Sequence, residues 1–365
     1  MTTASLDLKK QYAAFKAENP KSRIRDAAKQ LGVSEAQLVA TGIGETAIRL
    51  DGDFRELLKE VPTLGYVMAL TRNDSIVHER KGEYKDVSFN GHVGLVLGED
   101  IDLRLFMMHW KHGFAVNENG RRSLQFFTGD GEAVHKIYLT DASNEAAYDA
   151  LVTKYKAADQ SAELLMEPAP EPKAETEDDT IDVTGFQQAW LDLQDTHAFF
   201  GLLRKYGVAR AQAMRLAPEG HAVPTTLEAV KSVFTQVAEN HLPIMIFVSS
   251  RGCIQIHTGE VQKLVPMGPW FNVLDPAFNL HLREDQVASA WVVRKPTLDG
   301  IVTSLELFDA DGNQIALILA NGSRAFRSRK NGAPLWPGRR WLLADLLNKG
   351  TCCSWHLPHQ LQQAD

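Results

Sequence analysis

Ser123-Leu124-Gln125-Phe126-Phe127-Thr128-Gly129-Asp130-Gly131 decides the fold. It reads as a strand running into an Asp-Gly hairpin turn, with Val134 to Leu139 as the returning strand. The same element comes back 181 residues later as Ser304-Leu305-Glu306-Leu307-Phe308, again followed by Asp-Gly. Working outward, Leu103-Arg104-Leu105 matches Leu280-His281-Leu282, and Gly82-Glu83-Tyr84 matches Gly259-Glu260-Val261, both at a spacing of 177. Lys29-Gln30-Leu31-Gly32-Val33 matches Arg204-Lys205-Tyr206-Gly207-Val208 at a spacing of 175. A collinear series with a slowly drifting spacing is the mark of a duplication.

Each copy begins with helical periodicity and continues as closely spaced strands. In the first copy these run from Gly65 through Leu70, Ile76–Arg80, Tyr84–Phe89, His92–Leu97, Leu103–Met108 and Gly113–Val116, and a helix from Asn144 to Tyr155 closes it. Strands joined by turns, with few helices between them, pair antiparallel. The expected fold is therefore α+β: two tandem repeats, each a large antiparallel β-sheet with helices. The expected divisions are 1–160, an acidic Pro-rich linker at 161–184, and 185–365. Glu167 to Asp179 has almost nothing to bury and reads as extended and mobile. Asp309-Ala310-Asp311-Gly312 reads as the hairpin turn rather than a calcium loop, because Gln314 and Ala320 stand where that loop needs Gly and Glu.

Composition excludes several classes. A net charge of −7 argues against a general nucleic-acid binder. No apolar run is long enough to span a membrane. Met1 to Asp7 lacks the regions of a signal peptide, and the 3 cysteines, Cys253, Cys352 and Cys353, form no disulfide framework; a cytoplasmic protein is expected. Ala27 to Ser34 resembles half of a helix-turn-helix, but the following helix carries Glu35 and Gln37 and no cation, so a helical hairpin is expected. Gly42-Ile43-Gly44-Glu45 lacks the third glycine of a dinucleotide fingerprint.

Chemistry is expected where the copies disagree. Asp195-Thr196-His197 opens a helical stripe of Phe199, Leu202, Leu203 and Tyr206, with Asp195 as N-cap and Gly207 as C′ residue. The dipole of a first turn favours the neutral imidazole, whose lone pair suits a haem iron. The bland alternative is that His197 only helps to cap the helix. At its repeat position the first copy has Ser22, while His281 stands at the repeat position of Arg104 and Asn117-Glu118-Asn119 at that of Arg294-Lys295-Pro296. One copy holds the imidazole and the other the arginine, which points to a site between the halves.

As an ordered set, these stretches resemble the cytoplasmic haem-trafficking and haem-degrading proteins of bacterial haem-uptake systems. The set is Arg25 to Ser34, Leu103 to Phe106 with His109-Trp110-Lys111-His112-Gly113-Phe114, Asp195 to Phe200, Gly259-Glu260 and Thr303 to Phe308. The resemblance implies haem b in a cleft between the halves, as ligand or substrate. It implies His197 as the axial iron ligand and Arg104 on the opposite face, acting through water, with Phe106 nearby. It also implies Arg210 and Lys295 at the propionates and Phe247 on the macrocycle. A further propionate arginine is Arg324 or Arg329, the latter favoured because Phe326 precedes it at the family spacing. The basic run with Trp336 and Trp341 could instead form an RNA surface or a solvated face.

His78 is open to two readings, an exposed strand histidine or a second haem ligand. Cys352, Cys353, His356 and His359 could hold a soft metal, against which Pro358 and the tail position count. Three functions share these residues. One is a haem carrier between an inner-membrane haem transporter and a downstream haem oxygenase; another is a haem-degrading enzyme with an external electron donor; the last is a haem-responsive regulator. Either a monomer or a homodimer is compatible with the sequence.

Overall fold

A computed structural model describes residues 3–171 and 174–320 of the chain. Among these described residues the strands form two nine-stranded antiparallel sheets. The first runs Ala47–Leu50, His112–Glu118, Arg121–Phe127, Ala133–Ser143, Gly65–Arg72, Ile76–Glu83, Phe278–Arg283, Trp270–Leu274, Leu264–Met267. The second runs Ala222–Thr225, Ser289–Thr297, Gly300–Phe308, Gln314–Ala320, Ile244–Ser249, Cys253–Gly259, Asp102–Phe106, Val93–Leu97, Ser88–Asn90. The duplication is visible in its details. The two Asp-Gly hairpins carry the same bulge, at Phe126/Phe127 and at Leu307/Phe308. The helices Ile24–Leu31 and Ala198–Tyr206 both stop on a left-handed glycine, Gly32 at φ 67° and Gly207 at φ 65°.

The order of strands contains a feature the sequence did not signal. Three strands of each copy leave their own sheet and extend the other one. Asp102–Phe106 pairs with Cys253–Gly259, placing Arg104 opposite Ile254, and Phe278–Arg283 pairs with Ile76–Glu83, placing Leu280 opposite His78. The exchanged strands also complete the cores. Leu103 and Leu105 share one buried cluster with Cys253, and Ile76 joins the cluster of Phe278, Leu280 and helix Leu227–Glu239.

Glu35–Ala40 is a helix with a Ser34/Gln37 capping box, but Ala36, Leu38, Val39 and Ala40 are buried. A helix sunk into the core cannot enter a DNA groove, which agrees with the helical-hairpin reading. The Pro-rich stretch carries no helix or strand among its described residues before Asp178–Thr180. It is tied down rather than loose. The Glu167 N–H donates to the Gly129 carbonyl at 2.9 Å, Thr176 Oγ1 donates to the Gly207 carbonyl at 3.0 Å, and Glu175 pairs with Arg215 at 2.7 Å. No helix among the described residues is long and apolar enough to cross a membrane.

Candidate functional site

Directly opposed residues of antiparallel strands point to the same side of the sheet. Across the second sheet, Arg104 faces Ile254, Phe247 faces both Ile256 and Leu317, Glu306 faces Leu317, and Lys295 faces Val302. Alternation along each strand then puts Arg104, Phe106, Phe247, Lys295 and Glu306 on one face. Its apolar floor is Met245, Ile256, Val302 and Leu319, with Phe247, Ile254 and Leu317 partly open. The strand exchange is what delivers Arg104 and Phe106, residues of the first copy, to a sheet built mainly by the second.

The segment carrying His197 docks on the edge of this platform. The Leu298 N–H donates to the Gln194 carbonyl at 3.0 Å, and Trp190 Nε1 donates to the Arg294 carbonyl at 3.0 Å. The helix spans Ala198–Tyr206 with His197 itself at the N-cap position, so Asp195, expected as the N-cap, lies two positions outside it. Asp195 Oδ1 accepts the His197 backbone N–H at 2.8 Å and meets His197 Nδ1 at 2.6 Å. Those two bonds, the backbone one first, hold the Asp195 carboxyl below its usual range. A carboxylate at Nδ1 assigns the proton to that nitrogen and the lone pair to Nε2, the arrangement metal-ligating imidazoles use. The His197 side chain is 65% exposed.

Arg210 and Lys295 are not isolated cations. Glu306, fully buried, takes Arg210 Nε at 3.0 Å and Gln314 Nε2 at 2.8 Å on one oxygen, and Lys295 Nζ at 2.5 Å on the other. Burial alone raises the Glu306 carboxyl; Arg210 and then Lys295 outweigh it and hold it at about 2. Burial pushes the Lys295 ammonium below its ordinary value, opposed by Glu306. Lys295 is 5% exposed and Arg210 27%. Arg104 Nη1 bonds Asp102 on its own strand and the Leu103 carbonyl at 3.1 Å. Arg324 and Arg329 lie outside the described residues, as do Phe326, Trp336, Trp341, Cys352, Cys353, His356 and His359.

His78 is neither exposed nor on the platform. It is fully buried between the sheets, with its ring 5.1 Å from that of Phe278, and neither nitrogen has a hydrogen-bond partner among the described residues. Burial drives its pKa well down. The alternating pattern around His78 left both faces possible, and the exchanged strand Phe278–Arg283 covers it. Sequence reasoning missed Glu306 and the pairing role of Asp195. The available signal for Glu306 was a copy mismatch, since Gln125 occupies its repeat position.

The residues present fit haem: an imidazole backed by a carboxylate, an apolar sheet face, and cations beside it. The chain belongs to the haemin-degrading HemS.ChuX domain family, whose pattern matches residues 32–155 and again 207–330. It is 38% identical to the hemin transport protein HmuS of Yersinia pestis over 347 residues, 94% of this chain and 98% of that one. Holo-PhuS, a heme-binding protein from Pseudomonas aeruginosa, shares 44% identity and superposes with a TM-score of 0.86, covering 89% of this chain and 96% of that one. The Escherichia coli O157:H7 heme degrading enzyme ChuS shares 36% identity with a TM-score of 0.82, covering 88% and 95%.

Proposed function

We propose that this chain binds haem on the outer face of its second sheet, receives it in the cytoplasm from a bacterial haem-uptake system, and delivers it for degradation or iron release. One observation carries the reading. The strand exchange gathers Arg104 and Phe106 with Phe247 and Lys295 on a single apolar face, and the His197 segment docks at its edge. His197 is the axial ligand through Nε2, with Asp195 holding Nδ1. Phe247 and Phe106 take the macrocycle. Arg210, aimed by Glu306, meets a propionate. Lys295 is too buried to reach far and serves mainly to keep the Arg210–Glu306–Lys295 group at net positive charge. Arg324 and Arg329 remain the candidates for the second propionate. Bound haem would supply a redox-active iron.

A second reading is favoured by Arg104, a guanidinium on the platform held by Asp102. A preorganised cation there can stabilise developing negative charge, as a haem-degrading enzyme with an external electron donor requires. A haem-responsive regulator has less support, because the helix that resembled a DNA reader is buried. The inner-membrane transporter and a haem oxygenase are the partners a carrier needs. The test is to load the full chain with haem, add an electron donor under air, and identify products with and without catalase. Intact haem transferred to an added haem oxygenase supports the carrier. Catalase-insensitive ring opening supports the enzyme, and failure to bind haem removes both.

A further inference from the structure

Phe199 sits two residues after His197 and is almost fully buried. Its ring takes Trp190 edge-on at 4.6 Å between centroids. Lys295 Nζ lies 4.4 Å from its centroid and Arg210 Cζ 5.6 Å. Both cations are bound to the same buried carboxylate, Glu306. A cation over an aromatic face is worth most where water is excluded, and two cations stay together in such a place only with an anion between them. We propose that Glu306 is a positioning residue for the axial-ligand helix. By pinning Arg210 and Lys295 against Phe199, it fixes the start of Ala198–Tyr206 and with it the place of His197.

The duplication provides an internal control. In the first copy the positions of Phe199, Arg210, Lys295 and Glu306 are held by Ile24, Glu35, Glu118 and Gln125. All four differ. The first copy has its own buried ion group, Glu35 with Arg72 and Lys136, but its helix Ile24–Leu31 presents no aromatic ring to it, and Ser22 stands where the imidazole would be. The clamp occurs in the copy that has a histidine to hold. It also joins the two ends of the site. Arg210 belongs both to the clamp and to the propionate edge, so contact with a carboxylate there bears on the helix that offers the imidazole.

For its consequence the inference rests on the haem reading above; its geometry does not. The test therefore starts with the haem-free full chain. Hydrogen–deuterium exchange of the Ala198–Tyr206 amides should accelerate roughly tenfold in Glu306→Gln, the scale of losing a desolvated cation–π seat. Exchange in Leu227–Glu239, which packs on the opposite face of the same strands and does not share the Phe199 cluster, should stay at wild-type rates. Should Glu306→Gln not fold, Phe199→Leu carries the test, since it keeps the apolar stripe and the ions and deletes only the ring. In the haem-loaded chain either variant should move the Soret band towards that of His197→Ala, a change that general loss of stability does not produce. Wild-type exchange in the helix of both variants overturns the clamp even if haem binds through His197. Local acceleration in a chain that binds no haem leaves the clamp standing and removes the haem reading instead.

Discussion

Lys295→Met tests the ion group at the centre of the site. The replacement keeps an unbranched side chain, one atom shorter, and deletes the charge beside a fully buried carboxylate. In the native chain Glu306 is held at about 2 against an ordinary value of 4.5. A difference of that size corresponds to about 3 kcal/mol favouring the folded state at neutral pH. Arg210 remains in the variant and keeps part of it, while the loss of one partner from a buried pair commonly costs about 3–5 kcal/mol. A destabilisation of about 3 kcal/mol at pH 7 is expected. Its pH dependence is the sharper quantity. The folded-state value of Glu306 is depressed, so its contribution is fully present above about 4.5 and is lost as pH falls towards about 2. In the variant that value rises because only Arg210 is left to hold it down, so less remains to be lost. The gap between wild type and Lys295→Met should therefore narrow steadily from pH 5 down to pH 3. Urea unfolding of the haem-free chain across that range measures it. A gap that stays constant with pH would refute the electrostatic account and leave only lost packing.

Replacing Arg210 by Ala should weaken haem binding by about 1–3 kcal/mol, the range for hydrogen bonds to charged groups, and should leave the binding of a propionate-esterified haem nearly unchanged. Equal weakening of both ligands would remove the propionate role. Arg104→Ala should shift the pH midpoint of the ferric haem complex's visible spectrum while changing haem affinity much less; a titration that overlays wild type would mean that Arg104 does not face the iron. If the chain degrades haem, the same variant should slow that reaction by roughly a hundredfold or more, the scale of losing one preorganised donor, as followed by product formation with catalase present.

Most of the fold could be read from the chain because a duplication writes each element twice. The paired Asp-Gly hairpins and the paired Gly32 and Gly207 helix ends fall where the repeat put them. The strand exchange could not be read. The alternation in Leu103-Arg104-Leu105 fixes which side chains share a face, yet it is the same whether the strand pairs with its own copy or with the other. His78 shows the same limit: its strand was identified, but burial depended on a neighbour two hundred residues away. At the site, His197, Arg104 and Lys295 stood out because the copies differ there. Glu306 differs too, but a carboxylate on a strand does not point towards an anionic ligand until its two cationic partners are seen around it.

The central claim is that His197 is the iron ligand of a haem held on the second sheet. Its most direct test is the ferric and ferrous Soret spectrum, with haem affinity, of His197→Ala beside wild type. A displaced Soret band with affinity lower by several kcal/mol is predicted, as for a lost metal ligand held by a fixed second partner. An unchanged band and unchanged affinity would contradict it.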